Sequence, residues 1–323
     1  MYDKKPIKFV PYLKSVIWGG NKICRYKGIV QSVPDIGESW EVSAVAGCES
    51  IVSQGRHEGM GLRDLISLYG AEVIGRNIYE KMEGEFPLLV KFIDANADLS
   101  IQVHPGEHLA RERHGCMGKD EMWYIIETEK GAKIYSGLRE ALSPETYRRR
   151  ITDNSFMDAL AVHESHPDDI FFIPSGRVHA IGKGNLLVEI QQSSDITYRI
   201  YDYGRVDKDG RPRELHTEAA SDAIDYNVYD TYRVANRSEG RGMTELVRSD
   251  YFTTSKINLD GKIILPLDSS LFTIVVCLRG EARIFTEDPA TENCLKSGET
   301  LLIPSSIKGI ILEGKGEFLA THP

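Results

Sequence analysis

Two segments of the chain, DIFFIPSGRVHAIG (169–182) and ETLLIPSSIKGIIL (299–312), follow the same pattern. Each has a short apolar strand, the tripeptide Ile-Pro-Ser and a second apolar run. Upstream of them, EMWYIIETEKGAKI (121–134) and LFTIVVCLRGEARI (271–284) share the order strand, turn glycine, strand. Short strands repeated with such turns are typical of sandwiches and barrels. The sequence therefore predicts two related β-barrel units.

Most of the remaining sequence also consists of short apolar runs separated by Gly, Pro, Asn and Asp, which are turn residues. We predict strands at 86–94, 99–104, 121–127, 169–174, 186–192, 271–278 and 300–304.

Three segments have helical character instead. Residues 61–82 place apolar side chains at helical spacing. Residues 143–163 begin with Ser-Pro-Glu, a capping residue followed by proline in the first turn. A shorter helix is predicted at 214–225. Because 143–163 has no counterpart in the second copy, we expect an N-terminal unit at 1–240 with two helical insertions, followed by a unit at 241–323.

Composition excludes several classes of protein. The chain has 323 residues, 41% of them hydrophobic and 27% charged, which is ordinary globular usage. A net charge of −9 without a basic block makes nucleic acid a poor partner. Five cysteines without a CxxC pair argue against a disulfide framework and a thiolate zinc site. No apolar run has the length of a membrane span, and the first residues, MYDKKP, include no apolar stretch of signal-peptide type, so we expect a cytoplasmic protein without a membrane partner.

The repeat provides an internal control for functional residues. The first copy has His179 after Ile-Pro-Ser-Gly-Arg-Val, where the second copy has Gly309. Near the strand that begins with Glu121, the second copy offers only Ser269 and Ser270 before its apolar run. Metal-competent side chains are thus present in one unit and absent from the other. This difference predicts one active barrel and a degenerate C-terminal barrel without a metal site.

The segment IQVHP (101–105) extends this set of residues. Side chains at i and i+2 of a strand share a face, so Gln102 and His104 can point together into the barrel. With Glu121 and His179 they form a nitrogen and oxygen site that suits zinc, although iron or manganese also fits. Gln102 could instead hydrogen-bond a neighbour of His104. The other histidines are assigned ordinary structural roles: His57, His108, His114, His163, His166, His216 and His322.

Several motifs in order resemble the type I mannose-6-phosphate isomerases, particularly their shorter bacterial branch. They are FPLLVKFIDANADLSIQVHP (86–105), KDEMWY (119–124), IPSGRVHAIG (173–182) and EIQQSSDITYRIYDYGR (189–205). WGG (18–20) and GESWEVSA (37–44) resemble that family as well. The resemblance covers about residues 18–216. It implies a mainly β fold of two cupin-type jelly-roll barrels with a few helices.

The resemblance also implies an activity, the interconversion of mannose 6-phosphate and fructose 6-phosphate with one Zn²⁺ per chain. Such an enzyme binds a small sugar phosphate and is a monomer or a homodimer. The family's zinc ligands fall on Gln102, His104, Glu121 and His179. Its catalytic arginine falls on Arg199, and its substrate-binding lysines fall on Lys91 and Lys119.

The expected chemistry moves a proton between C1 and C2 through an enediol(ate). Glu189 is our candidate for the proton shuttle, and His179 and Lys119 compete for that role. Besides Lys91 and Lys119, the sequence offers Arg177 and Arg205 as cations for the phosphate, or as ordinary turn residues. Two other functions stay open on sequence grounds, an iron cupin that activates oxygen and a cupin that binds sugar without converting it.

Overall fold

The computed structural model describes residues 1–30, 33–206, 209–287 and 292–323. Antiparallel strands dominate these ranges. They are β1 (Ile7–Val10), β2 (Tyr12–Gly20), β3 (Ile36–Val42), β4 (Ile51–Val52), β5 (Leu88–Asp94), β6 (Ile101–Val103), β7 (Glu121–Thr128), β8 (Lys133–Leu138), β9 (Leu160–Glu164), β10 (Ile170–Ile173), β11 (His179–Ile181), β12 (Asn185–Gln192), β13 (Tyr198–Tyr201), β14 (Arg233–Val234), β15 (Gly242–Arg248), β16 (Thr253–Pro266), β17 (Thr273–Phe285), β18 (Glu292–Lys296), β19 (Thr300–Ile303) and β20 (Gly309–His322).

The helices are short and lie between strands of the first three quarters of the chain. They are α1 (Lys22–Lys27), α2 (Leu62–Tyr69), α3 (Ala71–Ile74), α4 (Arg76–Lys81), α5 (Glu107–His114), α6 (Pro144–Thr152) and α7 (Thr217–Ala223), with a 3₁₀ turn at Phe156–Ala159. Within the described ranges no helix is both long and apolar enough to cross a membrane.

The strands form three sheets. Sheet 1 has the order β15-β16-β20-β17-β19-β1-β4, with β18 also paired to β17. Sheet 2 has the order β14-β10-β7-β12-β5-β3-β2, and sheet 3 has the order β13-β6-β11-β8-β9. The expectation of a mainly β chain is confirmed, and every predicted strand exists with bounds that differ by a few residues at most, except that β17 runs on to Phe285.

Sheets 2 and 3 enclose one apolar core. Trp123 and Phe171 of sheet 2 cluster there with Ile134 and Ile181 of sheet 3, all of them buried. The opposite face of sheet 2 packs against sheet 1, where Tyr124 joins a second core. Alternate residues of β7 therefore serve two different cores, as the period of two along a strand requires.

The first strand of the chain belongs to the sheet formed by its last residues. Ile7 of β1 lies opposite Leu302 of β19, and β4 pairs with the other edge of β1. The predicted division at residue 240 stays a prediction, and β1 and β4 are strands of sheet 1 although they precede that boundary.

All three predicted helices are shorter than expected, and the one at 214–225 spans Thr217–Ala223. The segment 61–82 is three short helices, because Gly70 and Gly75 have positive φ angles of 46° and 91° that end each helical run. At 143–163 the helix stops at Thr152, and Leu160–Glu164 is strand β9. Asn154, with φ of 59°, reverses the chain between them. His163 thus lies in a strand and not in a helix.

Candidate active site

A row of four side chains crosses sheet 3 on its inner face. Arg199 of β13 lies opposite Gln102 of β6, Gln102 lies opposite His179 of β11, and His179 lies opposite Ser136 of β8. Residues directly opposite in an antiparallel pair project from the same face of the sheet. The short pairings of β6 and β11 therefore bring a guanidinium, an amide, an imidazole and a hydroxyl to one surface.

A second row crosses sheet 2 and faces the first. Trp40, Lys91, Glu189 and Trp123 are directly opposite one another on β3, β5, β12 and β7. The ring of Trp123 meets the ring of His179 edge-on, with the ring centres 5.4 Å apart. The candidate site is the polar space between these two rows.

His104, Glu121 and His179 form a buried cluster that can hold a metal ion. The Nε2 atoms of the two histidines are 3.1 Å apart. Glu121 Oε1 is 3.3 Å from His179 Nε2, and Glu121 Oε2 is 3.5 Å from His104 Nε2. Gln102 also joins the cluster, because its amide nitrogen is 3.3 Å from His179 Nε2. A half-turn of the amide would present its oxygen at the same place.

The donor set fits a divalent cation. His104 Nδ1 is 2.9 Å from the carbonyl of Ile196, and His179 Nδ1 is 2.8 Å from the carbonyl of Arg177. Since a carbonyl only accepts, each Nδ1 carries the proton and each Nε2 presents a lone pair. Within the described residues, neither carboxylate oxygen of Glu121 accepts a well-formed hydrogen bond. Several acceptors thus face one another in a buried space, an arrangement that a cation satisfies.

The ionisation of these groups also suits metal binding. Burial lowers the pKa of His179 to about 3 and lowers that of His104. Burial alone would raise the pKa of Glu121, but Lys119, His104 and His179 outweigh it and hold that pKa below its usual range. The two imidazoles are therefore neutral and the carboxyl is ionised near neutral pH, which are the forms that bind metals.

Lys91 and Glu189 form a buried ion pair beside the cluster, with Nζ 3.2 Å from Oε1. Lys91 Nζ also donates to Gln191 Oε1 at 3.1 Å and lies 4.5 Å from the ring centre of Trp40. The indole N–H of Trp123 donates to Glu189 Oε2 at 3.1 Å. Burial and the nearby Glu121 raise the pKa of Glu189. Burial would lower the pKa of Lys91, but Glu189 and other carboxylates raise it instead.

A hydrogen-bonded clamp fixes the turn that carries Lys119 and Glu121. Glu107 Oε2 accepts from the Gly118 N–H at 2.8 Å and from Gln192 Nε2 at 3.0 Å. Gln192 Oε1 in turn accepts from the Asp120 N–H at 2.9 Å. This clamp holds Lys119, whose Nζ is 3.3 Å from both His104 Nε2 and Glu121 Oε2.

Arg199 is half-buried at the other end of the sheet 3 row. Its Nη1 donates to the carbonyl of Glu214 at 2.9 Å, while its Nε is buried and has no partner among the described residues. Burial and the nearby Arg213 lower the pKa of Arg199. Part of the guanidinium is thus free to bind a ligand.

The structure gives the other two cations different partners. Arg177 donates to the carbonyl of Phe172 and stacks on the rings of Tyr229 and Tyr232, away from the metal cluster. Arg205 is engaged by Asp202 and stacks on Tyr203. Among the described residues, neither guanidinium hydrogen-bonds a residue of the two rows, although the backbone carbonyl of Arg177 accepts from His179 Nδ1.

Sequence reasoning missed several residues of the site. Trp40, Trp123, Gln191, Glu107 and Ser136 were not among its candidates. Alternation along strands could have found two of them, because Gln191 follows Glu189 by two residues and Trp123 follows Glu121 by two. Trp40, Glu107 and Ser136 carry no such signal, since strand pairing and side-chain contacts place them.

Comparison with known proteins gives consistent results along the chain. The catalytic-domain model of type I phosphomannose isomerase matches residues 7–134, and the cupin-domain model of mannose-6-phosphate isomerase matches residues 242–323. Mannose-6-phosphate isomerase ManA of Bacillus subtilis is 34% identical, covering 98% of this chain and 99% of its own. The mannose-6-phosphate isomerase of Streptococcus mutans is 35% identical, over 98% of both chains.

A solved structure agrees with these sequences. The crystal structure of the mannose 6-phosphate isomerase from Bacillus subtilis superposes with a TM-score of 0.89 at 31% identity, covering 99% of this chain and 100% of that one. The predicted cupin fold is confirmed by these matches. With this similarity along its whole length, the chain belongs to the type I mannose-6-phosphate isomerase family and is an isomerase.

Proposed function

We propose that the enzyme interconverts mannose 6-phosphate and fructose 6-phosphate, with one zinc ion held by Gln102, His104, Glu121 and His179. The observation that carries the proposal is the buried set of acceptors around His104, Glu121 and His179, next to the Lys91–Glu189 pair. Zinc, when bound, would polarise the sugar oxygens as a Lewis acid.

Glu189 is the proposed proton shuttle. Its pKa is raised by burial, which makes the carboxylate a stronger base, while Lys91 at 3.2 Å keeps it ionised. In the proposed reaction this carboxylate accepts the proton from C2 of the aldose and returns it to C1, while the hydroxyl proton passes from O2 to O1. Its Oε2 accepts from the indole N–H of Trp123 and its Oε1 lies 3.2 Å from Lys91 Nζ, and each carboxylate oxygen has a further lone pair that would meet the substrate.

Cations on both rows would stabilise negative charge. Lys119 lies at the metal cluster, Lys91 lies beside Glu189, and Arg199 has a buried Nε without a partner among the described residues. We propose that Arg199 and Lys119 stabilise the enediolate oxygen and that Lys91, Lys119 and Arg199 together attract the phosphorylated substrate. A fixed positive charge needs no reorganisation when the oxyanion forms.

The cellular location, the roles of the two units and the oligomeric state are part of the same proposal. All five cysteines are free thiols, as expected in a reducing compartment, which supports a cytoplasmic location. We also propose that 1–240 is the catalytic unit and that 241–323 is a cupin unit without a metal site, in a monomer or homodimer.

A coupled assay tests the function. The protein loaded with zinc should convert mannose 6-phosphate to fructose 6-phosphate, and the reverse reaction should run to the same equilibrium ratio. Oxygen uptake should be absent. Turnover that consumes O₂ and depends on iron, or binding of the sugar phosphate without conversion, would refute the proposal and identify the other two kinds of cupin.

We expect Arg199→Ala to lower kcat by about 10²–10³, the loss typical of one oxyanion-stabilising donor. Metal content and melting temperature should be unchanged, because among the described residues the guanidinium hydrogen-bonds only the carbonyl of Glu214, and it is half-exposed. Steady-state kinetics with metal analysis measures both. Arg149→Ala on α6 is the matched control, since Arg149 is exposed and lies outside the two rows of the site, and turnover of Arg199→Ala within threefold of that control would exclude the role.

A further inference from the structure

Ser136 is a polar residue of the inner face whose side chain has no hydrogen-bond partner among the described residues. It lies on β8, it is completely buried, and its hydroxyl makes no hydrogen bond to any residue in the described ranges. A serine hydroxyl can donate one hydrogen bond and accept two. Leaving all of them unmade in a dry interior destabilises the folded state. The fold itself therefore makes no use of this hydroxyl.

The register of β8 shows which way the side chain points. Ser136 lies directly opposite His179, so both project from the inner face. Two residues earlier, Ile134 lies in the core that sheets 2 and 3 enclose, while Tyr135 packs on the outer side. Ser136 is thus the residue of β8 that lies between the apolar core and the cluster of His104, Glu121 and His179.

The backbone at Ser136 is held in place from several sides. His163 Nε2 is 3.2 Å from its carbonyl. The next residue is Gly137, with φ of 81°, and a Cβ there would overlap the ring of Tyr232. Tyr232 in turn donates its hydroxyl hydrogen to the carbonyl of Leu138 at 2.7 Å. The hydroxyl of Ser136 cannot leave the inner face without breaking these contacts.

We propose that the Ser136 hydroxyl hydrogen-bonds a hydroxyl of the bound sugar, and this inference rests on the proposed function. With neighbouring strands about 4.8 Å apart, Ser136 lies one strand from His179 and Arg199 lies one strand beyond Gln102 on the other side. The two residues flank the metal ligands. A ligand across the cluster would meet a guanidinium on one side and a neutral hydroxyl on the other, which suits a polyhydroxylated chain with one charged end.

The test uses Ser136→Ala in the zinc-loaded enzyme. We expect kcat/KM for mannose 6-phosphate to fall about tenfold, the effect of losing one hydrogen bond to the substrate. The melting temperature should stay the same or rise, because the variant removes an unsatisfied buried group. In calorimetry, the affinity for an unreactive hexitol 6-phosphate should fall by a similar factor, while the affinity for inorganic phosphate should not change.

Thr300→Val is the matched control. Thr300 Oγ1 on β19 is also buried without a partner in the described ranges, but it lies in sheet 1. This variant should change neither turnover nor binding. Unchanged hexitol phosphate affinity in Ser136→Ala would overturn the inference and leave the hydroxyl with at most a water molecule. Loss of zinc from that variant would overturn it too, because Ser136 would then act through His179.

The inference and the proposed function fail in different ways. A wild-type enzyme that does not interconvert the two sugar phosphates contradicts the proposed function. A wild-type enzyme that does so, with a Ser136→Ala variant of equal kcat/KM, contradicts only the assignment of Ser136.

Discussion

Removal of the metal is expected to abolish turnover while the protein stays folded. Loss of Lewis-acid stabilisation worth several kcal/mol corresponds to about a thousandfold or more in rate. The fold should survive because the apolar cores contain no metal ligand and because Lys119, 3.3 Å from Glu121, still balances that carboxylate. Activity after chelation and after zinc addition, compared with circular dichroism of the same samples, checks this.

Glu121→Gln separates metal loss from chelator effects. The amide has nearly the same shape, but it offers N–H donors to the Nε2 atoms that lie 3.3 and 3.5 Å from the two Glu121 oxygens. The variant should therefore lose zinc and activity, and its melting temperature should fall, because the buried Lys119 loses the carboxylate that lies 3.3 Å away. Glu313→Gln, on β20 of sheet 1, is the control and should keep both zinc and activity. Unfolding of both sheets on chelation, or full turnover without metal, would contradict the proposed role of the cluster.

Glu189→Gln is expected to lower kcat by about 10²–10⁴, the contribution of a positioned base. The amide keeps an acceptor for the indole N–H of Trp123 but cannot take a proton from carbon. It also leaves the buried Lys91 without its carboxylate, and removing one partner of a buried ion pair costs about 3–5 kcal/mol. A loss of stability is therefore expected together with the loss of rate.

A double variant distinguishes these two effects. Lys91→Met combined with Glu189→Gln removes both buried charges, so the free energy of unfolding should recover toward the wild-type value. Turnover should not recover, because the base is still absent. Chemical denaturation and steady-state kinetics on the two single variants and the double variant complete the cycle. If kcat returns together with stability, Glu189 has a structural role and another group moves the proton.

The sequence predicts well those features that depend on the alternation of side chains along a strand and on the order of motifs along the chain. Gln102, His104, Glu121 and His179 are brought together as expected, because strand alternation and the internal control with Gly309 both depend on local sequence. Their roles stay predictions. The same local signals predicted β12 with Glu189, and the Arg199 position followed from the family resemblance.

Features that depend on contacts between residues far apart in the chain could not be predicted from the sequence. A helical pattern over 61–82 does not reveal that a Cβ at Gly75 would overlap the carbonyl of Ser270, so that glycine, with φ of 91°, is needed where the helix breaks. The clamp from Glu107 to Gln192 joins a helix and a strand far apart in sequence, and Ser136 is defined only by its pairing with His179. Pairing partners of strands are tertiary information, and no spacing rule supplies them.

The pairing of β1 with β19 has a consequence for synthesis. A ribosome makes Ile7 long before Leu302, so the first strand must wait for almost the entire chain before its partner exists. During that time the backbone groups of β1 form an open edge that can pair with another nascent chain. Residues 1–240 therefore leave β1 without its partner β19 until the last part of the chain is made, and a shortened gene product that ends before residue 300 keeps that edge open.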